Sequence, residues 1–195
     1  EVIDERPYEI IPRAPRIEAR TGESAATGSA GSSSQALERE RAWIYDLGLR
    51  YRPPEGIPDE TAKELFQDAF TALWQGQIEN DGFNALVLHV GLTWRQAMIL
   101  RAYALYLRQT GNAFSKRYFE QVLLRNPAIT RLLVRLWESR LDPALADGEA
   151  ERSAGIAEEL DGRLEDVASL DEDRILRAYR SMINATLRTN YYQRK

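Results

Sequence analysis

The chain contains no cysteine and a single histidine, His89. The first absence excludes a disulfide framework, thiolate metal clusters and cysteine nucleophiles. The second excludes a histidine metal cage and a Ser-His-Asp system. Long hydrophobic runs are also missing: the richest, residues 83–92, is broken by Asn84, His89 and Gly91 and falls short of the roughly 20 residues needed to cross a bilayer. Neither sign of charge dominates, since 26 basic side chains face 30 acidic ones for a net charge of −4. The first residues carry no basic n-region and no apolar h-region, so no signal peptide is read. These absences lead to the expectation of a cytoplasmic protein without membrane contact.

What is present is 195 residues, 44% hydrophobic and 29% charged, long enough to bury roughly 70% of the unfolded surface. The chain starts at Glu1 rather than a methionine and ends in Tyr-Tyr-Gln-Arg-Lys directly after a helical pattern, so a piece of a longer polypeptide is expected. Near the front, Trp43, Tyr45, Leu47, Leu49 and Tyr51 alternate as in a half-buried strand. Val2 to Ile11 is β-branched and aromatic-rich, with Pro7 confining it to an edge. The two runs are expected to pair as a β-hairpin within residues 1–52. The Gly/Ser-rich stretch between them reads as a flexible loop, 13–40.

After Pro54 the pattern is helical and punctuated by breakers. A helix over 58–75 carries Ala62, Leu65, Phe66, Ala69, Phe70, Leu73 and Trp74 as one apolar stripe. A short helix follows from Gly82 to Val90. The capping-box spacing of Thr93 and Gln96 opens a third, which runs to Gly111. Ser115 caps a fourth, broken at Asn126-Pro127, and a fifth stops at Asp142-Pro143. A polar stretch, Ala144 to Ala154, leads into a charged helix with Ile156, Leu160, Leu164 and Val167. Ser169 and Glu172 have capping-box spacing for the last helix, which carries Ile175, Leu176, Tyr179 and Ile183. The expected fold is therefore mainly α, a bundle-like multi-helix segment with a small N-terminal β-hairpin, divided as 1–80 and 81–195.

Candidate chemistry is sparse. Gly22, Gly28 and Gly31 fit no phosphate-binding fingerprint. Asp171-Glu172-Asp173 and Glu158-Glu159 sit near helix starts or on a solvated face, where carboxylates are structural. Arg95, Arg101, Arg108, Lys116 and Arg117 gather positive charge, but no recognition motif accompanies them, so no nucleic acid is expected as a partner. His89 reads as a core or interface histidine. Trp74, Trp94, Tyr103, Tyr106, Tyr118, Phe119 and Trp137 fall at helical spacing, as core or interface aromatics do. No residue stands out as catalytic, cofactor-binding or metal-ligating. Taken by themselves, the residues describe a structural segment or a stand-alone helical interaction module without enzyme activity.

Several runs together nevertheless resemble the large bacterial class of NAD-specific glutamate dehydrogenase: Val2 to Tyr8, Ile44 to Leu49, Asp81-Gly-Phe-Asn84, Gly91 to Gln96, Leu100 to Gln109, Asn126-Pro127, Ser169 to Arg177 and Ala185 to Tyr191. The match departs at Leu47, Leu141 and Tyr192, where phenylalanine is expected. The resemblance implies a parent oxidoreductase that converts L-glutamate, NAD and water to 2-oxoglutarate, ammonium and NADH. It places this segment just before the catalytic domain, with residues 1–80 as the end of an ACT-like module and 81–195 as a helical module leading to catalysis. It also implies that NAD, glutamate and 2-oxoglutarate bind outside the segment and that the partners are the parent's own catalytic domain and neighbouring subunits of a homo-oligomer. An amino-acid effector has room in this scheme.

Overall fold

A computed structural model describes residues 2–10, 42–49, 51, 57–111 and 113–193. Gly22, Gly28, Gly31 and the loop 13–40 lie outside the described residues. The chain divides into two units, Glu1–Arg52 and Pro53–Lys195.

In the first unit, β1 (Val2–Ile10) pairs antiparallel with β2 (Ala42–Leu49), as the alternation predicts, with Tyr8 opposite Ile44 and a register shift between Val2 and Asp4. Pro7 faces Tyr45 and is tolerated because each strand of a two-stranded sheet is an edge.

The second unit holds seven α-helices among the described residues, and the described chain is mainly helical. Helix α1 (Asp59–Trp74) follows Pro58, with Asp59 and Glu60 complementing the macrodipole in its first turn. Its expected single stripe splits in two. Ala62 and Ala72 are buried and Leu65 and Ala69 lean on the core, whereas Phe66, Phe70 and Trp74 point outward, Trp74 at 82% exposure. Those three rings stack along the helix at 6.1 and 6.2 Å. The spacing of apolar residues was read correctly, but the stripe is wider than the neighbouring helices can cover.

Asp81 accepts a hydrogen bond from the Phe83 N–H at 3.1 Å, which tightens Gly82–Asn84 into a 3-10 turn ahead of α2 (Ala85–Val90). The predicted helix from Gly82 is therefore helical throughout but α-helical only from Ala85. Gly91 ends α2 in the left-handed region, φ 76°, and a Cβ there would lie 2.6 Å from Ile57 Cδ1. Helix α3 (Trp94–Gln109) begins with the full capping box: Gln96 N–H donates to Thr93 Oγ1, and Thr93 N–H donates to Gln96 Oε1. Ser115 caps α4 (Lys116–Arg125), and Pro127 occupies the first turn of α5 (Pro127–Leu141).

Helix α6 (Glu149–Glu165) starts earlier than the polar stretch suggested. Arg152 folds back and donates to the carbonyls of Leu145 and Asp147, so residues 149–154 are drawn into the helix. Helix α7 (Leu170–Ala185) is capped by Ser169, but Glu172 does not complete a capping box. Its carboxylate instead accepts from Arg125 and Asn126, tying α7 to the end of α4.

One apolar core runs through α2 to α7, with Phe83, Leu100, Phe119, Leu133, Leu160 and Ile175 buried in it. Tyr179 is also buried there, edge-on to Phe119, and its hydroxyl donates to the Leu100 carbonyl at 3.1 Å.

Candidate functional site

Two places in the second unit concentrate polar and aromatic groups, and both are built on α3. The first is a buried charge cluster. Arg101 is 4% exposed and grips the Asp81 carboxylate with Nε and Nη2, both at 2.7 Å, a bidentate pair. The same guanidinium reaches Asn84 Oδ1 at 2.8 Å and the Glu79 carbonyl at 3.4 Å. Lys116 approaches Asp81 at 2.8 Å and Glu79 at 3.5 Å. Burial pushes the Asp81 carboxyl up, but the hydrogen bonds and charges of Arg101 and Lys116 outweigh it and hold the group below its ordinary value. Glu120, beside them, is raised, by burial and then by the charge of Asp81. Its carboxylate lies so close over Gly82 that a Cβ there would be 2.3 Å from Oε2. Chemically, this cluster joins the turn before α2 to α3 and α4.

The second place is the segment after α7. Residues 186–193 lie back over α3 and α5. Tyr103 and Thr186 share a hydrogen bond at 2.6 Å, and the Trp137 indole N–H donates to the Tyr103 hydroxyl at 3.1 Å. Trp137, Tyr191 and Tyr192 form a three-ring nest with centroids 4.9 to 5.8 Å apart. Arg95 donates to the Tyr191 carbonyl, and its guanidinium sits 4.4 Å above the Tyr191 ring. Burial raises the Tyr191 and Tyr192 phenols, and the Tyr192 hydroxyl is buried without a hydrogen-bond partner among the described residues. Between this strap, the end of α7 and α3 opens a cleft of about 1090 Å³.

The basic residues singled out from the sequence are thus separated. Arg101 and Lys116 belong to the charge cluster, and Arg95 to the strap. Arg108 is exposed in the last turn of α3, and Arg117 is exposed on α4. No continuous basic stripe forms, because Arg101 is turned inward. His89 is exposed at the end of α2, so the core reading is corrected: a polar ring is better placed in water beside a helix C-terminus. Of the aromatic set, Trp94, Tyr103, Tyr106 and Trp137 come together around the cleft, Phe119 is core, and Trp74 is exposed. Glu159 pairs with Arg163 and Arg135, and Asp173 with Arg177, as structural carboxylates do. Sequence reasoning missed Asp81 and Arg188. The adjacent Tyr191 and Tyr192, just past a helix end, were the available signal for the strap.

Comparison with known proteins follows the same division. A family model for glutamate dehydrogenase, helical motif 3, matches residues 78–143, and one for the bacterial NAD-glutamate dehydrogenase catalytic domain matches residues 159–195. The second match begins inside α6, whereas the sequence reading starts that domain after Lys195. The chain is 42% identical over 160 residues to the NAD-specific glutamate dehydrogenase of Mycobacterium tuberculosis, covering 77% of this chain and 10% of the relative. The enzyme of the same name from Halomonas elongata is 42% identical over 156 residues, 78% of this chain and 9% of the relative. That from Pseudomonas aeruginosa is 40% identical over 154 residues, 77% and 10%. The chain spans about a tenth of the length of the curated relatives it matches. By sequence it belongs to the bacterial NAD-specific glutamate dehydrogenase family, as a segment that runs from helical motif 3 into the stretch matched by the catalytic-domain model.

Proposed function

We propose that this chain is the non-catalytic connector of an NAD-dependent glutamate dehydrogenase, whose parent polypeptide converts L-glutamate, NAD and water to 2-oxoglutarate, ammonium and NADH. The observation that carries the reading is the single core. Leu100, Phe119 and Leu133, from the stretch matched by helical motif 3, pack in one cluster with Leu160, Ile175 and Tyr179, from the stretch matched by the catalytic-domain model. A well-packed core transmits displacement rather than absorbing it. Ligand binding on either side of such a connector can therefore bias the other through a coupling free energy. NAD and glutamate are held outside the chain in this reading, in a cytoplasmic homo-oligomer.

The outward face of α1 fits the same role. Phe66, Phe70 and Trp74 form an exposed aromatic ladder, the kind of contiguous apolar surface that a partner covers. In our reading β1, β2 and α1 belong to the end of an ACT-like module, and the ladder is covered by a partner surface outside this chain. The same ladder would also serve a stand-alone helical interaction module.

Glutamate-dependent NADH formation separates the two. The intact parent is expected to be active and the 195-residue chain alone silent. Phe70→Ser with Trp74→Ser in the parent is expected to disturb assembly or turnover while leaving the thermal midpoint of the isolated chain unchanged. A folded parent that does not oxidise glutamate would leave the interaction module as the reading.

A further inference from the structure

We infer that the cleft between α3 and the α7 strap is a binding site for a small amphipathic organic anion with a planar apolar body. The cleft, about 1090 Å³, lies just above the roughly 300–1,000 Å³ typical of small-ligand pockets. Its walls are aromatic, from Trp94, Tyr106 and Tyr191, and are lined on two sides by the thioethers of Met98 and Met182. Such walls take a flat apolar body, with methionine adapting to its outline. At the floor, the Trp137 indole N–H is spent on Tyr103, and the Tyr103 hydroxyl on Thr186, so these groups make few demands on an occupant.

Charge selects the rest of the ligand. The sequence has 30 acidic side chains, yet among the described residues none lines the cleft, and its two charged lining residues are Arg95 and Arg188. Arg188 makes no ion pair or hydrogen bond among the described residues and is exposed at the rim. Arg95 uses one contact on the Tyr191 carbonyl, out of five N–H donors. Arg101 on the same helix, by contrast, is buried on a carboxylate. Two guanidinia beside an apolar cleft whose described lining holds no carboxylate complement a carboxylate, sulfonate or phosphate; Arg188 is the freer of the two, since Arg95 also lines a smaller neighbouring cleft with Asp68, Glu138 and Asp142.

The site goes beyond the dehydrogenase reading, since no step of glutamate oxidation is involved. Its occupant would touch both Met98, in the stretch matched by helical motif 3, and Met182, in the stretch matched by the catalytic-domain model.

The test uses 8-anilinonaphthalene-1-sulfonate as the anionic probe and N-phenyl-1-naphthylamine, the same body without the sulfonate, as the neutral one. Fluorescence titration of the 195-residue chain is expected to give one saturable sulfonate site, with energy transfer from tryptophan that falls in Trp94→Phe. Arg188→Glu is expected to weaken the sulfonate probe at least tenfold and leave the neutral probe within twofold. Ala102→Trp, at an exposed cleft position, is expected to displace both probes, and Trp74→Ser on the α1 ladder neither. Circular dichroism and the thermal midpoint check that each variant is folded, and Arg188→Glu decides alone if Ala102→Trp is not. Sulfonate affinity unchanged in folded Arg188→Glu, or both probes weakened equally, overturns the inference. So does a cleft whose filling leaves the probes bound and instead breaks the parent's assembly, which would assign it to a protein segment. The probe titrations are read without glutamate turnover, so the dehydrogenase reading stands or falls separately.

Discussion

Arg101 and Arg95 leave the same helix about 120° apart, six positions along α3, and meet opposite fates. Arg101 is sealed against Asp81, Asn84 and Glu79 with almost no exposure, while Arg95 lies on an open face above Tyr191. The first is a fastener whose charge is consumed inside the fold. The second borders a space where charge is still available. Residue type and helix are the same in the two cases, so it is the face each occupies and the partner on the neighbouring element that divide structure from recognition.

The largest expected effect tests that division directly. Arg101→Met leaves Asp81 buried with Lys116 as its remaining cation and is expected to cost about 3–5 kcal/mol in urea unfolding. Arg95→Met, losing an exposed hydrogen bond to the Tyr191 carbonyl and the contact with its ring, is expected to cost no more than about 2 kcal/mol. Equal costs would erase the distinction. A smaller effect sharpens the other side: Tyr192→Phe removes a buried hydroxyl that has no partner among the described residues and is expected to leave stability unchanged or raise it by about 1 kcal/mol. A clear loss there would mean the hydroxyl is bonded in solution.

The least effect is expected from pH. Asp81, held low, stabilises the fold above its unfolded value, and that contribution disappears as pH falls through its folded value. Glu120 is raised, so its contribution is present below its unfolded value, near pH 4, and is lost as pH climbs through the folded one. Glu120→Gln is neutral throughout. It is expected to raise the thermal midpoint at pH 7, with the gain shrinking towards pH 4. A gain independent of pH would take Glu120 out of the electrostatics of the cluster.

Features that depend on neighbours in sequence were legible. Thr93 and Gln96 announced a helix start, Asn126-Pro127 a break, and the alternation around Tyr45 a strand, because each reports a local hydrogen bond or dihedral. The pairing of Asp81 with Arg101, twenty residues away, depends on where the turn before α2 lands, and no local rule encodes it. The outward turn of Phe66, Phe70 and Trp74 was illegible for a related reason: hydrophobic spacing says which residues share a face, but not how much of that face the neighbours cover. The early start of α6 depended on Arg152 reaching back to two carbonyls, a contact that composition reads as a polar linker. For the cleft, the sequence supplied Trp94, Tyr103 and Tyr106 but not Arg188, whose meaning lies in the lack of carboxylates among the described residues of the lining.

Helix α6 has a consequence for anyone who would cut or recombine this protein. The match to the catalytic-domain model begins at residue 159, one turn after Ile156 and next to Leu160, on an uninterrupted helix whose buried residues include Leu164. A boundary drawn there from sequence alone would pass through a beam rather than a joint. Each fragment would carry half of an apolar wall and invite aggregation, whereas a transplant that keeps α2 to α7 together would move as one piece of masonry.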